Sequence, residues 1–445
     1  MPSPPVKVML PVNPALQDDD SMLTRKFGQE VVNYYSGTRL NRYSFLRADA
    51  AFLRRAALAP AARYVALNNL AAVVVDKSQL ATFSYDDVKP LLGAEPPVVL
   101  EEKTVVAQFD STKATPLVVF LGLVEGAIGG AADEDHKTVE IESTSHGNVK
   151  AQPYFAVDVT PRDSYKEAAE EFQKTFEARG FSIENNPRAM ALLPEHGTTY
   201  YTAPRTLTNV PVPPASIFAQ ARSMIDWNTR NRFCAGCGSR NLSIQGGYKR
   251  VCPSADLAGS SDGSTPVPRD DCPTRHGVSN ICFPRTDPTM IAAVVSADGR
   301  RVLLGRQAAW PTDWYSTLAG FLEPGESMEE TVRREVWEES GVRVGRVVIH
   351  STQPWPYPSS LMIGAVGQAL PGGEDITLHD QELESARWFT LEEVHVALAR
   401  GGSALGGPTP PAYKAGDLRV PPPQAIAHQL MKAVVEGKYT GASKI

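Results

Sequence analysis

The stretch GFLEPGESMEETVRREVWEESGV, residues 320–342, holds seven glutamates and two arginines in 23 residues and contains no lysine. It includes a capping box, in which Ser327 is followed three residues later by Glu330, so a helix is expected to begin there. Gly341 is typical of a helix end. The stretch therefore predicts about four helical turns that carry most of these acidic side chains.

The acidic side chains of this predicted helix lie beside its apolar side rather than opposite it. At about 100° per residue, Glu335 and Glu339 share one face and Glu338 lies about 60° to the other side. They border the apolar stripe formed by Met328, Val332 and Val336. A charged helix face is usually a solvated surface, but carboxylates crowded beside a core repel one another, which raises their pKa values. Because a divalent cation removes that repulsion, the pattern predicts an oxygen-only site for Mg²⁺ or Mn²⁺.

The same stretch resembles a known motif, the Nudix box, at nine fixed positions. These are Gly320, Glu326, Arg334, Glu335, Val336, Glu338, Glu339, Gly341 and Val342. The resemblance implies an α/β fold, a Nudix α/β/α sandwich with a mixed sheet. It also implies a hydrolase that acts on a nucleoside diphosphate linked to another group, by phosphoryl transfer to water.

The resemblance to the Nudix family also assigns roles to residues. Glu335 and Glu339 would hold the metal, with help from the backbone carbonyl of Ala319. Glu338 would orient or deprotonate the attacking water. Arg334 would fix the loop through an ion pair with the first glutamate of the box, which is a structural role.

A second motif, QPWPYPSS at residues 353–360, begins twelve residues after Gly341. Its prolines alternate with aromatic rings, so it is stiff, extended and unable to form a helix. From the residues alone, a packed loop is the better interpretation. The segment closely resembles, however, a signature of the NADH pyrophosphatases within the Nudix family. That resemblance implies a dinucleotide site lined by Gln353, Pro354, Trp355, Pro356, Tyr357, Pro358, Ser359 and Ser360.

The same resemblance implies roles for five further residues. Phe321, directly after the first glycine of the box, would stack on a base. Glu382 matches an additional metal ligand, and Glu384 is the alternative if the register slips. Ala427 would touch substrate near the C-terminus. Phe283 would contact a base from the partner subunit, which implies a homodimer.

The five cysteines all fall within one 49-residue stretch, which is natural for a local metal site and odd for a disulfide framework. Cys234 and Cys237 form one knuckle of the kind that binds tetrahedral Zn²⁺. Cys252, Cys272 and Cys282 offer three candidates for the two remaining places. The surrounding sequence resembles the zinc ribbon of the same enzymes, which implies Cys272 as the fourth ligand, Cys282 as a free thiol and a structural Zn²⁺.

The net charge and the apolar runs of the whole chain limit its possible partners and its location. A net charge of −6 over 445 residues argues against a large surface for binding nucleic-acid phosphates. No apolar run reaches the roughly 18 residues of a membrane span, and the N-terminus lacks the apolar core of a secretory signal. These features predict an intracellular protein without a membrane segment. The final residues 443–445, Ser-Lys-Ile, resemble a peroxisomal address, with the cytoplasm as the alternative location.

The order of patterns along the chain predicts three domains. Residues 1–215 mix helical and strand patterns, as expected for an α+β domain resembling that of the NADH pyrophosphatases. Residues 216–286 hold a linker helix and the zinc ribbon, and residues 287–445 form the Nudix domain. Residues 126–152 and 253–271 are expected to be insertions. The sequence shows no internal repeat.

Three functions are consistent with these patterns. The first is hydrolysis of NADH, or of NAD⁺, to reduced or oxidised nicotinamide mononucleotide and AMP. The second is removal of NAD caps from the 5′ ends of RNA, although the acidic net charge mildly disfavours long RNA. The third is a non-catalytic dinucleotide-binding module, whose usual sign would be a lost glutamate of the box, and none is lost.

Overall fold

Helices and strands alternate along the chain, and a computed structural model describes them over most of residues 32–437. The gaps are residues 37, 39, 77–78, 95, 126–137, 144–146, 184–214, 261–263, 277–282, 325, 380–381, 406 and 411. The predicted peroxisomal address and Cys282 lie outside the described residues. Among the described helices, none has the length and apolar character needed to cross a membrane.

A first mixed sheet contains eight strands. They are β1 (Arg63–Asn68), β2 (Ala71–Asp76), β3 (Gln79–Leu80), β4 (Thr82–Phe83), β5 (Val118–Glu125), β6 (Val139–Ser143), β7 (Gly147–Asp158) and β8 (Ser182–Ile183). The main order is β3-β2-β1-β7-β5. Strands β1 and β7 are parallel, whereas the other pairs are antiparallel.

Five helices accompany this sheet. They are α1 (Ala50–Leu58), α2 (Tyr85–Leu92), α3 (Glu102–Ala107), α4 (Lys166–Glu177) and α5 (Ala215–Arg230). Because side chains alternate along a strand, Tyr64 of β1 faces the core that α1, α2 and α4 cover, and Val65 faces the core that α5 covers. Helix α5, predicted as a linker, therefore packs as one layer against the first sheet.

A ribbon of four short strands follows α5. It consists of the antiparallel pairs β9 (Leu242–Ile244) with β10 (Lys249–Val251) and β11 (Ala255–Asp256) with β12 (Val267–Pro268). Such short strands bury little apolar surface, so the ribbon needs another source of stability. That source is a group of cysteines within the ribbon.

A second mixed sheet contains six strands. They are β13 (Asp287–Val295), β14 (Arg301–Arg306), β15 (Leu318–Phe321), β16 (Val344–Trp355), β17 (Ser360–Ala369) and β18 (Ser385–Thr390). The order is β16-β17-β13-β14-β18, and β15 also pairs with β13. Strands β13 and β17 are parallel, and the remaining pairs are antiparallel.

Three helices cover the two faces of the second sheet. They are α6 (Met328–Ser340), α7 (Leu391–Arg400) and α8 (Ile426–Val435). Along β13, Met290 packs in the core under α6, and Ile291 packs in the core under α7 and α8. Every residue from 290 to 295 is buried, because both faces of the strand are covered. The predicted α/β/α sandwich with a mixed sheet is confirmed.

The sequence has no internal repeat, but the structure repeats one strand topology. In each sheet the first strand pairs antiparallel with the second and with a short later strand, β4 or β15. A helix follows that short strand, and a later strand, β7 or β17, pairs parallel with the first. The last strand, β8 or β18, then pairs with the second. The chain therefore builds one topology twice without a repeated sequence.

The prediction of a surface insertion over residues 126–152 is wrong in its second part. Strands β6 and β7 pair there, and Ile141, Ala151 and Gln152 are buried. Charged residues alternate with buried ones along β6, so the charge marked the exposed side of a strand rather than a loop. Residues 126–137 lie outside the described residues.

Candidate active site

Helix α6 begins and ends as its sequence predicts. The Ser327 side chain accepts a hydrogen bond from the Glu330 backbone N–H, and the Glu330 carboxylate accepts one from the Ser327 backbone N–H. Gly341 adopts the left-handed conformation, with φ of 74°, that a side chain would disfavour. The helix therefore has a fixed start, which sets the direction of each glutamate.

Arg334 is the centre of the polar network on this helix. Its Nε donates to Glu326 Oε1 at 2.5 Å, and its Nη1 donates to Glu335 Oε1 and Glu338 Oε2 at 2.9 Å each. Its Nη2 donates to the carbonyl of Phe321 at 2.9 Å. The predicted ion pair with the first glutamate of the box is confirmed. The further bonds to two other glutamates were not predicted.

The Glu335 carboxylate lies directly against Gly320 on strand β15. A Cβ atom at Gly320 would stand 1.9 Å from Glu335 Cδ, so only glycine leaves room for this carboxylate. Burial raises the pKa of Glu335, and the negative charges of Glu338 and Glu382 add to the rise, while Arg334 opposes it. The repulsion expected from the sequence is therefore present at Glu335.

Glu382, rather than Glu384, faces the cluster. Glu384 forms an ion pair with Arg306, and its backbone N–H donates to the Arg306 carbonyl at 2.9 Å. Between them, Leu383 packs so closely on Gly305 that a Cβ there would stand 2.7 Å from it. These contacts fix the register of the segment, and the charge of Glu382 acts on Glu335.

The donor groups of this region are chemically of the kind that bind a divalent metal ion. Glu335 and Glu382 offer carboxylate oxygens, and Glu339 is buried on the same helix, only 5% exposed. Ala319 precedes Gly320 on β15, so its backbone lies beside the position of the Glu335 carboxylate. Mg²⁺ and Mn²⁺ prefer oxygen ligands of this kind. These four residues could therefore hold the cation.

The 353–360 segment connects β16 with β17. Its first residue, Gln353, is 1% exposed. The Gln353 amide donates to the carbonyls of Tyr34 and Gln424, at 3.1 and 2.8 Å, and its oxygen accepts from the Ile426 N–H at 3.0 Å. Gln353 therefore joins strand β16 to helix α8 and to the chain near residue 34.

The rings of the segment pack on the first sheet and its helix α5. Trp355 and Tyr357 both meet Tyr35 edge-on, with ring centroids 6.1 and 6.4 Å apart. The Tyr35 and Tyr357 hydroxyls lie 3.2 Å apart, and the Arg222 guanidinium stands 4.5 Å from the Tyr357 ring centroid. The packing interpretation is thus correct for these rings, and the sequence did not indicate their partners Tyr35 and Arg222.

The segment nevertheless lies at the same end of the sheet as Phe321. Strand β13 pairs with β17 on one side and β15 on the other, with Asp287 beside Ser360 and Thr289 beside Phe321. Adjacent strands are about 4.8 Å apart and each residue rises about 3.3 Å, so two strand spacings and a two-residue offset separate Ser360 and Phe321 by roughly 12 Å. Phe321 is 57% exposed and free to stack on a flat ligand.

The remaining predicted contacts differ in exposure. Phe283 is exposed, as a residue that meets a ligand or a partner subunit must be. Ala427, in the first turn of α8, is buried in the core. Pro356 and Ser360 are buried, and Pro354, Pro358 and Ser359 are partly exposed. The substrate roles of these residues remain predictions.

Four cysteines meet in the ribbon. The sulfur atoms of Cys234, Cys237, Cys252 and Cys272 lie within 4.8 Å of one another. Cys234 and Cys272 sulfurs are 3.6 Å apart, and those of Cys237 and Cys252 are 3.5 Å apart. Four thiolates at this spacing fit tetrahedral Zn²⁺, and Cys272 is the fourth member, as predicted.

Neighbouring groups act on these sulfurs. Hydrogen bonds from the backbone and side chain of Ser239 lower the pKa of Cys237 to about 6, while burial raises the pKa of Cys252 to about 12. Thr274 Oγ1 lies 3.2 Å from the Cys234 and Cys272 sulfurs. Thr274 was not predicted, although it directly follows the DCP motif.

Comparison with known proteins agrees with this geometry. Three family models match successive parts of the chain: an NADH pyrophosphatase-like rudimentary NUDIX domain at residues 61–227, an NADH pyrophosphatase zinc ribbon domain at residues 229–258, and a NUDIX domain at residues 286–406. The rudimentary NUDIX domain coincides with the first sheet. The repeated topology thus has a counterpart in the families themselves.

Full-length relatives decide the family. The NAD-capped RNA hydrolase of Schizosaccharomyces pombe is 32% identical over 410 residues, which span 92% of this chain and 94% of that protein. The chain belongs to the Nudix hydrolase family. The NAD-capped RNA hydrolase of Saccharomyces cerevisiae is 31% identical over 91% of this chain and 96% of its own length. A mitochondrial NAD(P)H pyrophosphatase of mouse is 34% identical over 62% of this chain and 72% of its own. This Nudix hydrolase is therefore an enzyme with an N-terminal rudimentary NUDIX domain and a zinc ribbon.

Proposed function

We propose that this Nudix hydrolase cleaves the pyrophosphate bond of NADH or NAD⁺. The observation that carries the proposal is the carboxylate cluster of α6, in which Glu335 lies against Gly320 and is repelled by Glu338 and Glu382. Relatives named for NAD-capped RNA or NAD(P)H support the choice of a nicotinamide dinucleotide. The products are a nicotinamide mononucleotide and AMP.

Each residue of the cluster has a proposed task. Glu335, Glu339, Glu382 and the Ala319 carbonyl would hold Mg²⁺ or Mn²⁺, which would supply positive charge to offset that of the pyrophosphate. Glu338 accepts a proton from the attacking water as its oxygen bonds to phosphorus. The bond from that phosphorus to the bridging oxygen breaks, and the oxygen keeps the electron pair on the departing phosphate.

Arg334 supports the arrangement rather than the chemistry. Its bonds to Glu326 and the Phe321 carbonyl hold the loop between β15 and α6. Phe321, at the end of β15, stacks on a base, and the 353–360 segment forms the wall across the start of β13. In this proposal Tyr35 and Arg222 act indirectly, because they hold that wall from behind.

Product analysis tests the reaction. The full chain is incubated with NADH and Mg²⁺, and products are separated by liquid chromatography. AMP and reduced nicotinamide mononucleotide are expected in equal amounts, and Glu338→Gln should form neither at a comparable rate. Release of free nicotinamide, or no release of AMP, would contradict the proposal. Dialysed enzyme titrated with Mg²⁺ and Mn²⁺ identifies the preferred ion.

Removal of NAD caps from RNA is the second candidate, and the names of the S. pombe and S. cerevisiae relatives favour it. The same bond breaks, but the adenosine continues into an RNA chain. Turnover of NADH and NAD-capped RNA at equal concentration separates the two. A large preference for capped RNA would reverse the order of the candidates.

The remaining proposals concern assembly and location. We propose three domains at residues 1–215, 216–286 and 287–445, a structural Zn²⁺ on the four cysteines, and a homodimer in which Phe283 reaches the partner's site. Light scattering gives the mass in solution, and metal analysis gives the zinc content. A fluorescent fusion with and without residues 443–445 tests the peroxisomal address.

A further inference from the structure

A cavity of about 330 Å³ lies between the first sheet and the ribbon. None of its lining residues lies beyond Arg250, so it is separate from the carboxylate cluster of α6. Its walls come from three segments: residues 98–118 before and at β5, residues 158–165 before α4, and residues 228–250 at the end of α5 and in the ribbon. The volume is within the range of small-molecule sites.

The charge of this cavity opposes that of the chain. It is lined by five basic side chains and two acidic ones, although the chain carries a net charge of −6. The basic residues are Lys113, Arg162, Arg232, Arg240 and Arg250, and the acidic residues are Asp110 and Asp158. A concave wall with an excess of arginine attracts anions, and phosphate is the anion that arginine binds best.

Both acidic residues already have partners. Asp110 pairs with Lys113 at 3.0 Å and accepts hydrogen bonds from Thr112. Asp158 pairs with Arg162 at 3.5 Å and accepts from Thr160. The carboxylates therefore do not cancel the charge of the arginines on the ribbon side.

The arginines on the ribbon side are held by neutral oxygens. Arg250, 7% exposed, donates to the side-chain oxygens of Asn241 and Asn228 at 2.6 and 3.0 Å. Arg240 donates to the Ser111 carbonyl at 3.2 Å. These bonds fix the direction of both guanidinium groups, which is the preorganisation that an anion site requires.

Another part of the wall is apolar. Val98, Val105, Phe109 and Leu117 line the cavity beside the basic groups. The Phe109 ring is itself held in place by the Arg269 guanidinium, 5.0 Å from its centroid. A ligand that pairs with the basic side chains and packs on the apolar ones has a phosphate at one end and a flat or apolar group at the other.

We propose that this cavity binds a small phosphorylated ligand of about the size of a mononucleotide. The concave, partly enclosed shape with a volume of about 330 Å³ favours a small molecule over an RNA chain, which would need a longer open groove. The site is independent of the reaction at α6, so its occupation can be measured without catalysis.

Calorimetry with the full, zinc-containing chain tests the proposal. The probes are AMP, nicotinamide mononucleotide, adenosine and inorganic phosphate, in buffer without added divalent ions. At least one mononucleotide should bind more tightly than both adenosine and phosphate. Ala114→Trp, which fills the cavity from its lining, should weaken that binding at least tenfold. Arg232→Ala, at an exposed position of the wall, should weaken it about threefold or more.

Arg346→Ala is the matched control, because it removes one exposed arginine from the second sheet. It should leave binding unchanged, and all variants should hydrolyse dinucleotide at the parent rate. If Ala114→Trp fails to fold, the proposal is tested by comparing the mononucleotide affinities of Arg232→Ala and Arg346→Ala. Binding that neither cavity variant weakens belongs to the site at α6 and overturns the proposal. An RNA oligonucleotide is titrated alongside these probes, and a result in which it alone loses affinity in the cavity variants also overturns the proposal.

Discussion

The two sheets of this enzyme share one topology and differ in the connection from the short strand, β4 or β15, to the helix that follows it. In the first sheet Phe83 ends β4 and the next residue, Ser84, already caps α2. In the second sheet residues 322–326 separate the end of β15 from the cap Ser327. Both helices have a capping box, but α2 has 8 residues and an internal proline, whereas α6 has 13. The fold is therefore separable from the site, which depends on the added loop and longer helix.

The ends of the equivalent strands β4 and β15 differ in their surroundings. Phe83 is 1% exposed and packs against the rings of Phe172 and Phe181. In the second sheet Gly320 leaves room for a carboxylate, and Phe321 points to solvent. The end of β4 in the first sheet therefore contributes to the hydrophobic core. The end of β15 in the second sheet instead stays exposed beside a carboxylate. Substitutions at matched places in the two sheets can test this division.

The largest expected effect is the loss of activity in Glu338→Gln. Removing a general base lowers kcat by about 10²–10⁴-fold. The matched control is Asp86→Asn on α2, an exposed acidic residue on the corresponding helix of the first sheet, which should retain full activity. Steady-state kinetics with NADH and Mg²⁺ give both values, and equal activity of parent and Glu338→Gln would refute the assigned role.

Phe83→Ala should affect stability rather than chemistry. Deleting a buried phenylalanine ring typically destabilises a protein by about 3–5 kcal/mol. Denaturant unfolding measures the loss, and the rate per folded molecule should equal that of the parent. A variant that is stable but slow would show that the first sheet takes part in catalysis after all.

Phe321→Ala should show the opposite result. Its ring is exposed, so unfolding should change little, whereas loss of a base-stacking contact worth about 1–3 kcal/mol should raise KM by about 5- to 150-fold. Unfolding and steady-state kinetics on the same preparation separate the two quantities. An unchanged KM for NADH would remove Phe321 from the substrate site.

The acidic helix and the first cysteine pair could be predicted from short-range patterns, whereas the second sheet and Cys272 were implied by resemblance to the Nudix family and its zinc ribbon. The capping box, Gly341 and the spacing of the glutamates lie within one stretch, and Cys272 was recognised by its local context. The features that could not be predicted depend on distant pairs. The bonds from Gln353 to Tyr34 and Gln424 join residues 319 and 71 positions apart, and no local signal marks them.

The repeated topology escaped prediction for a related reason. Strands pair through backbone hydrogen bonds, whereas the core is formed by side chains, so different side chains can accompany the same pairing. Tyr64 and Phe83 pack in the core of the first sheet, and Met290 and Leu318 pack in a core of the second. Equivalent strands of the two sheets therefore pair alike but carry different side chains. Topology of this kind is visible only in the strand registers.

Gly320→Ala tests how the second sheet makes room for its carboxylate. The added Cβ would overlap the end of the Glu335 side chain, which can swing away. We therefore expect a folded enzyme whose metal ligand is displaced, with activity reduced about tenfold and a higher Mg²⁺ concentration for half-maximal rate, as in other disturbed metal sites. Thermal unfolding controls for stability. Parent-like Mg²⁺ dependence would show that Glu335 is not a ligand.

The smallest effect concerns the loop that only the second sheet has. The ion pair with Arg334 lowers the pKa of Glu326 to about 2. A carboxyl whose pKa is lower in the folded state stabilises the protein above its unfolded pKa of about 4.3, and this contribution is lost as pH falls towards 2. Glu326→Gln should therefore melt roughly 1–3 °C below the parent at pH 7, with the gap narrowing below pH 4, because partly exposed pairs contribute little. Asp86→Asn should show no such pH-dependent gap, and a Glu326→Gln gap that stays constant down to pH 3 would mean that the loop is held by something other than this charge.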